Sequence, residues 1–394
     1  MSEWRRWPWL SWSFIAATLI GCQALVTSGL IRPRMVVMLP AGRGDAASNE
    51  EFLRGFRVGQ ASVEACGDVF PEVAWQGLAP GDSPKLQLMS SQETTVVVAP
   101  PAADLRAFAE LAADQDLTVL LPFQRGQSLD TLRGLEGRER LWPLVPSQKD
   151  DLKATATAAI QAGWGRAMVV THPEALEASA SDAFVSLFQA AGGTVESYEQ
   201  ESVQRVDPAD GNRLELLKKD IAYSSVPTVV VADAPDGSLA RRLRQDQEQG
   251  RFGGGAPQSP NWIWLTPADD LEQVPSAPWQ QLGLQHPARG ENWMSFNSAF
   301  QSRWGQTPSL LAAAGFDTAR LLAVVGSAPL PVSDEGSRDA MGWLNPDLDA
   351  VPICDGLARR RRGESLRLEA AASDARFLPG QAPSGEALAG VLIQ

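Results

Sequence analysis

The chain is predicted to be an α/β protein of doubly wound parallel sheets in a two-lobed body, with the chain passing several times between the lobes. Three observations carry that expectation. Short runs rich in Val and Leu recur with little polar alternation, as strands buried on both faces of a parallel sheet do. Amphipathic stripes separate them, and parallel strands need such crossovers. The alternation falls into two blocks, roughly 35–145 and 165–265, within 394 residues. That length suits two or three domains of about 100–200 residues each.

In the first block, strands are expected at 35–39, 95–99, 118–121 and 140–145. In the second they are expected at 167–171, 194–197, 228–232 and 262–265. Leu105, Phe108, Ala109 and Ala112 form one helical stripe, and Phe184, Leu187, Phe188 and Ala191 form another. Leu214, Leu217 and Ile221 mark a third, and a further helix begins near Lys149, just after Val145-Pro146-Ser147. Beyond 265 no third sheet is expected. Two helices, about 291–304 and 308–325, return the chain to the first block. Segments 250–260, 326–337 and 379–385 are rich in Gly, Pro and Ser and read as loops.

Composition narrows the chemistry. With 47 acidic and 34 basic side chains, a formal balance of −13, the chain lacks the basic character of a nucleic-acid binder. Two histidines and three cysteines leave little material for a zinc site, and no metal or cofactor is expected. No nucleophile elbow, zincin, paired-cysteine or phosphate-loop motif is present, so no enzymatic activity is expected. Asp347 and Asp349 in a Pro-rich turn are weak evidence for a cation. Arg359 to Arg362 form a basic run that either pairs with nearby acids or meets an anionic envelope surface. Trp262, Trp264 and Trp279, near the end of the second block, read as core rather than as platforms for a sugar.

The N-terminus reads as a targeting segment. Arg5 and Arg6 precede a short apolar stretch that ends Leu19-Ile20-Gly21-Cys22. Those last four residues resemble the lipobox of bacterial lipoproteins. The resemblance implies a signal peptide over 1–21 and a diacylglycerol on Cys22, with a linker over 22–34. The alternative is an uncleaved N-terminal transmembrane anchor, since 14–31 is mostly apolar. Either places the body outside the cytoplasm, in the periplasm. Once Cys22 carries lipid, Cys66 and Cys354 are the cysteines left to pair in an oxidising compartment. The other possibility is two buried free thiols.

Several stretches resemble the type I periplasmic binding proteins, in particular their leucine/isoleucine/valine-binding branch. MVVMLPAGR with FLRGFRVGQ is similar to that family's opening strand, cleft loop and helix. LWPLVPSQKDDLKATATAAIQAGWGRAMVV resembles its passage from lobe one to lobe two. FVSLFQAAGGTVESYEQ and AAAGFDTARLLA resemble the following helix–Gly-Gly–strand and the returning helix. The resemblance spans about 35–325. It implies two Rossmann-like doubly wound parallel-sheet lobes joined by a hinge, lobe one at 35–147 with 285–325 and lobe two at 148–284, with 326–394 an extension whose packing the letters do not specify. It further implies a lipid-anchored solute-binding component of an ABC importer, with a small-molecule ligand and an ABC permease as partners. The alternative is a regulatory binding lipoprotein acting on an envelope enzyme, similar to penicillin-binding-protein activators.

Ligands of such sheets sit beyond the carboxyl ends of the strands, at switch points. The expected ligand-binding residues are therefore Arg43, Ala102, Phe123, Gln124, His172 and Asp233. Arg43 suits an anionic group and Asp233 an ammonium, although each is also an ordinary loop residue. The resembling amino-acid binders place a hydroxyl and donor N–H groups after the third strand. This chain has Pro100-Pro101-Ala102-Ala103 there, and prolines lack the donor. Where those binders have a small residue and Thr, Phe123 and Gln124 stand. The expected ligand is thus not a free aliphatic amino acid.

Overall fold

The computed structural model describes residues 32–41, 46–79, 81–88, 94–101, 103–124, 127–172, 178–198, 201–223, 228–232, 238–250, 260–265, 280–285, 290–330, 339–383 and 389–393. Its first sheet is wholly parallel: β1 (Arg34–Pro40), β2 (Val73–Leu78), β3 (Thr94–Val98), β4 (Thr118–Leu121) and β5 (Leu141–Pro143), in the order β2-β1-β3-β4-β5. The second holds β6 (Arg166–Thr171), β7 (Thr194–Val195), β8 (Val203–Arg205), β9 (Thr228–Ala232), β10 (Asn261–Trp264) and β11 (Gln281–Gln285). There β9 and β10 lie on one side of β6 and β7 and β8 on the other, which repeats the winding of the first sheet.

The central strands are expected and found, with residues 96–98, 119–121 and 229–231 fully buried. The expected strands at 140–145 and 194–197 are shorter, because Arg138–Arg140 forms a 3-10 turn and only Thr194–Val195 pairs with β6. β2, β8 and β11 are additions to the expected list. β2 is an edge strand with Ala74, Trp75 and Gly77 exposed, so it lacks a clean apolar signal.

Lobe one packs α1 (Ala46–Glu64) against α9 (Leu310–Gly326), with α8 (Trp293–Trp304) beside them, on one face of the first sheet, and α2 (Pro84–Leu88) with α3 (Leu105–Gln115) on the other. The α1–α9 contact is close because a glycine on each helix faces the backbone of the other. A Cβ on Gly55 would stand 1.8 Å from the Ala312 carbonyl oxygen, and one on Gly315 would stand 2.2 Å from that of Phe52. Lobe two carries α4 (Gln148–Gln161), α5 (Ala178–Ala190), α6 (Gly211–Tyr223) and α7 (Ser238–Glu248). Among the described residues, no helix is long and apolar enough to cross a membrane.

On the α7 face of the second sheet, Trp262 and Trp264 are buried and stacked, with ring centroids 5.8 Å apart. Burying an indole N–H requires an acceptor. Trp262 Nε1 donates to Gln247, and Trp264 Nε1 donates to Gln281 Oε1 at 3.0 Å. Arg244 Nη2 donates to the same Gln281 oxygen at 3.1 Å, and its guanidinium lies 5.3 Å from the Trp264 ring. Gln281→Ala should leave an indole N–H and a guanidinium N–H short of an acceptor. The expected loss is about 2–3 kcal/mol of unfolding free energy, checked by urea denaturation; a loss near zero would mean that water replaces the amide.

The extension beyond 326 completes lobe one and then leaves it. Residues 339–383 contribute Met341, Trp343, Ile353, Leu357, Leu368 and Phe377 to the cluster that holds Met35 and Val37 of β1. They contain α10 (Ile353–Arg361) and a small parallel pair, β12 (Ala350–Val351) with β13 (Arg367–Leu368). Cys66, just past α1, and Cys354 of α10 form a disulfide with Cα atoms 5.4 Å apart. The arginine run is divided: Arg360 is buried and donates to the Pro329 carbonyl at 3.4 Å, Arg361 pairs with Asp68, and Arg362 pairs with Glu364 at 2.5 Å. At its end the tail runs beside edge strand β5, where Gly380 N donates to the Leu141 carbonyl at 2.6 Å. β14 (Ala389–Ile393) then joins the second sheet, antiparallel to β11. The chain therefore passes between the lobes after β5, between Gln285 and Gly290, and between 383 and 389.

Candidate ligand-binding crevice

Topology selects the crevice. In each sheet the winding reverses beside the first strand, between β1 and β3 in lobe one and between β6 and β9 in lobe two. A crevice opens beyond the carboxyl ends of such a strand pair, because the two connections leave to opposite faces. In lobe one those ends are Pro40-Ala41 and Ala99-Pro100-Pro101; in lobe two they are Thr171-His172 and Ala232.

The lobe-one ends offer few free donors. Ala41 N donates to the Leu78 carbonyl at 3.0 Å and Ala99 N to that of Leu120 at 2.9 Å. Pro100 and Pro101 have no N–H. The carboxylate of Asp104 is engaged as the cap of α3, accepting from Arg106 N at 3.0 Å and Ala107 N at 3.4 Å. Arg54, a cation on the first half of α1, is occupied as well. It pairs with Glu50 at 2.5 Å and donates to Gln306 Oε1 at 2.7 Å.

Phe123, beyond β4, packs its ring 4.9 Å from that of Phe52 on α1 and joins the margin of the lobe-one core. Its bulk therefore fills space between the sheet and α1. Gln124 next to it is half-buried. Asn49, in the first turn of α1, is a candidate that the letters alone do not single out. Its Nδ2 donates to the Pro40 carbonyl at 3.5 Å, and its buried Oδ1 has no partner. Nothing in the letters distinguishes it from any polar residue near a helix start.

In lobe two, His172 is half-buried at the end of β6, its Nε2 4.0 Å from Asp207 Oδ1. Asp207 follows β8 and is fixed by accepting from Ala209 N at 2.8 Å. It escapes the sequence reading because three-residue β8 does. Arg43, Ala102, Asp233 and Trp279 lie outside the described residues, as does Cys22. Among the described residues, no cluster of three or more His, Cys, Asp or Glu could hold a metal ion. The described groups thus present aromatic bulk, two amide side chains and a His–Asp pair, with few donors for a carboxylate.

No family model matches the chain, and no curated protein matches it. Solved structures do. An ABC transporter substrate-binding protein from Desulfitobacterium hafniense, in complex with Leu, is 15% identical and has a TM-score of 0.57, with 91% of this chain and 96% of that chain covered. The branched-chain amino acid transporter substrate-binding protein LivJ from Streptococcus pneumoniae, in complex with isoleucine, is 12% identical with a TM-score of 0.56, covering 91% and 99%. An ABC transporter solute-binding protein from R. palustris, in complex with benzoate, is 15% identical with a TM-score of 0.53, covering 77% and 90%. The chain has the fold of the type I periplasmic binding proteins.

Proposed function

We propose that the chain is an extracytoplasmic binding protein, anchored to a membrane by lipid on Cys22, that captures a small molecule other than a free aliphatic amino acid for an ABC importer. The observation that carries this reading is the repeated winding of the two sheets, which sets one switch-point crevice on each lobe, with the chain passing between the lobes three times. Two lobes so connected bind by closing on a ligand. The solved neighbours support the choice of class, since their ligands include both aliphatic amino acids and benzoate.

Ligand choice follows from the groups present. An α-carboxylate needs convergent donors, and Pro100-Pro101 supplies none from its backbone nitrogens. A buried charge without partners costs several kcal/mol, a large part of the about 8 kcal/mol behind micromolar affinity. Phe123 favours a flat or apolar body, and Gln124 and His172 suit a few directed hydrogen bonds. A thermal-shift screen of the purified full-length protein against amino acids, aromatic acids and neutral metabolites tests this. A ligand at about 100 times its Kd adds about 2.7 kcal/mol of stability, so a true ligand should raise Tm by several degrees. Stabilisation by leucine, isoleucine or valine alone would overturn the ligand assignment.

The large extension built onto lobe one favours the second reading, a regulatory lipoprotein whose partner is an envelope enzyme. Complete silence in the ligand screen would shift the balance to it. The anchor has its own test. Intact-mass analysis of the membrane fraction should show loss of residues 1–21 and added acyl mass, whereas an unacylated full-length N-terminus would indicate the transmembrane alternative.

A further inference from the structure

The base of lobe one, at the amino ends of β1 and β2, carries two adjoining cavities far along the strands from the carboxyl-end crevice. One, of about 510 Å³, is lined by Phe56, Val69, Phe70, Pro71, Val73 and Trp75, with Gln60, Glu64 and Asp68 on its polar side. The other, of about 600 Å³, is lined by Arg32, Arg34, Pro71 and Glu72 together with the end of α9. Pro71 belongs to both, so they form one continuous surface. On it Val69 is 93% exposed and Trp75 44% exposed, the Trp75 ring standing edge-on to Phe56 at 5.1 Å. The Cys66–Cys354 disulfide anchors the chain three residues before Val69.

We infer that this surface is the seat of lobe one on a lipid bilayer. The reading rests on N-terminal attachment to a membrane, in either of the two forms considered above. If the lipid is on Cys22, nine residues lie between it and Arg32, and the ten Cα steps span at most about 35 Å. If 14–31 spans the bilayer instead, Arg32 emerges at its surface. Both bring the base of lobe one, and no other described surface so directly, to the headgroup region.

The surface chemistry fits that position. Tryptophan favours the membrane–water interface, where its ring is buried and its N–H stays wet, and Val69 is free to enter the acyl boundary. Charge does not oppose the contact. Arg32 and Arg34 stand against Glu64 and Glu72, and Asp68 is neutralised by Arg361. That local balance is near even in a chain of net −13, which anionic headgroups would otherwise repel. Such a seat directs the carboxyl-end crevice of lobe one away from the lipid.

The test uses the full-length protein purified from membranes and reconstituted into vesicles of phosphatidylethanolamine with a minor fraction of phosphatidylglycerol. A nitroxide is placed at Val69→Cys in one preparation and at Leu216→Cys, an exposed site on α6 of lobe two, in another. Accessibility to a water-soluble nickel relaxant should fall several-fold at position 69 on going from detergent to vesicles, while position 216 stays unchanged. Vesicle flotation separates the two ways of failing. A protein that floats with the vesicles but keeps position 69 as accessible as position 216 overturns the seat and leaves the attachment standing. A protein that does not float overturns the attachment, and the seat with it.

Discussion

Asp317→Ala is expected to lower the unfolding free energy by about 3–5 kcal/mol, the range for breaking a buried charged network by removing one partner. Asp317 lies on α9 and is 2% exposed. Its carboxyl oxygens accept from Ala371 N and Ala372 N, each at 2.8 Å, and so pin the extension to the returning helix. Arg320, one turn on, donates to the Glu369 carbonyl at 2.6 Å and lies over the Phe316 ring. Removing the carboxyl leaves two buried N–H groups without an acceptor and takes away one of the two acidic groups that act on Arg320. Urea denaturation measures the loss; a change below about 1 kcal/mol, the size of an ordinary surface effect, would show that the network is not what holds the tail.

The same carboxyl gives stability a pH signature. Burial raises its pKa from 3.8 to about 7, against the lowering effects of the Ala372 and Ala371 N–H groups and of Arg320. Burial likewise pushes Arg320 down to about 10, against the pull of Asp317 and Glu369. Since the folded pKa of Asp317 lies above the unfolded one, the folded chain keeps a proton that the unfolded chain has released in between. Stability from this group is full below about pH 4 and drains as pH rises towards about 7, by a few kcal/mol at about 1.36 per unit. Asp317→Asn keeps an acceptor and cannot ionise. The advantage of the wild type over this variant should therefore shrink from pH 4 to pH 7; an advantage that grows with pH contradicts the assignment.

The second large effect is expected from the disulfide. Cys66 and Cys354 are 288 residues apart in the chain, so the bond restricts a very long loop in the unfolded state. Replacing both with serine should cost about 2–5 kcal/mol, the usual range for loss of a native disulfide. It should also loosen α10 from the end of α1. Thermal unfolding with and without reductant checks this: reductant should lower Tm of the wild type and leave the double variant unchanged. Equal Tm values for oxidised and reduced wild type would contradict it.

The legible parts of the fold are those whose signal is local. Residues 118–121 are four apolar or β-branched letters buried on both faces, and the strand coincides with them. The helix expected at 308–325 is found at Leu310–Gly326, capped by Ser309, because almost every side chain on it is buried. β14 carries a short apolar run, Val391-Leu392-Ile393, but nothing local assigns it to the second sheet, because its partner β11 lies more than a hundred positions earlier. β2 escapes because an edge strand with Gln76 and Gly77 need not look apolar. At the crevice, Phe123 is legible as bulk, but its partner Phe52 is not, since their ring contact depends on the placement of α1. Asp207 shows the same dependence, because its approach to His172 follows from the pairing of β8 with β6.

Titration calorimetry of the purified full-length protein with leucine, isoleucine and valine bears most directly on the crevice. No saturable heat is expected from any of the three at concentrations that would fill a micromolar site, while a compound that raises Tm in the screen should bind with one site per chain. Tight, saturable binding of leucine, isoleucine or valine would contradict the reading of Pro100-Pro101 and Phe123 and make the chain an aliphatic amino-acid binder.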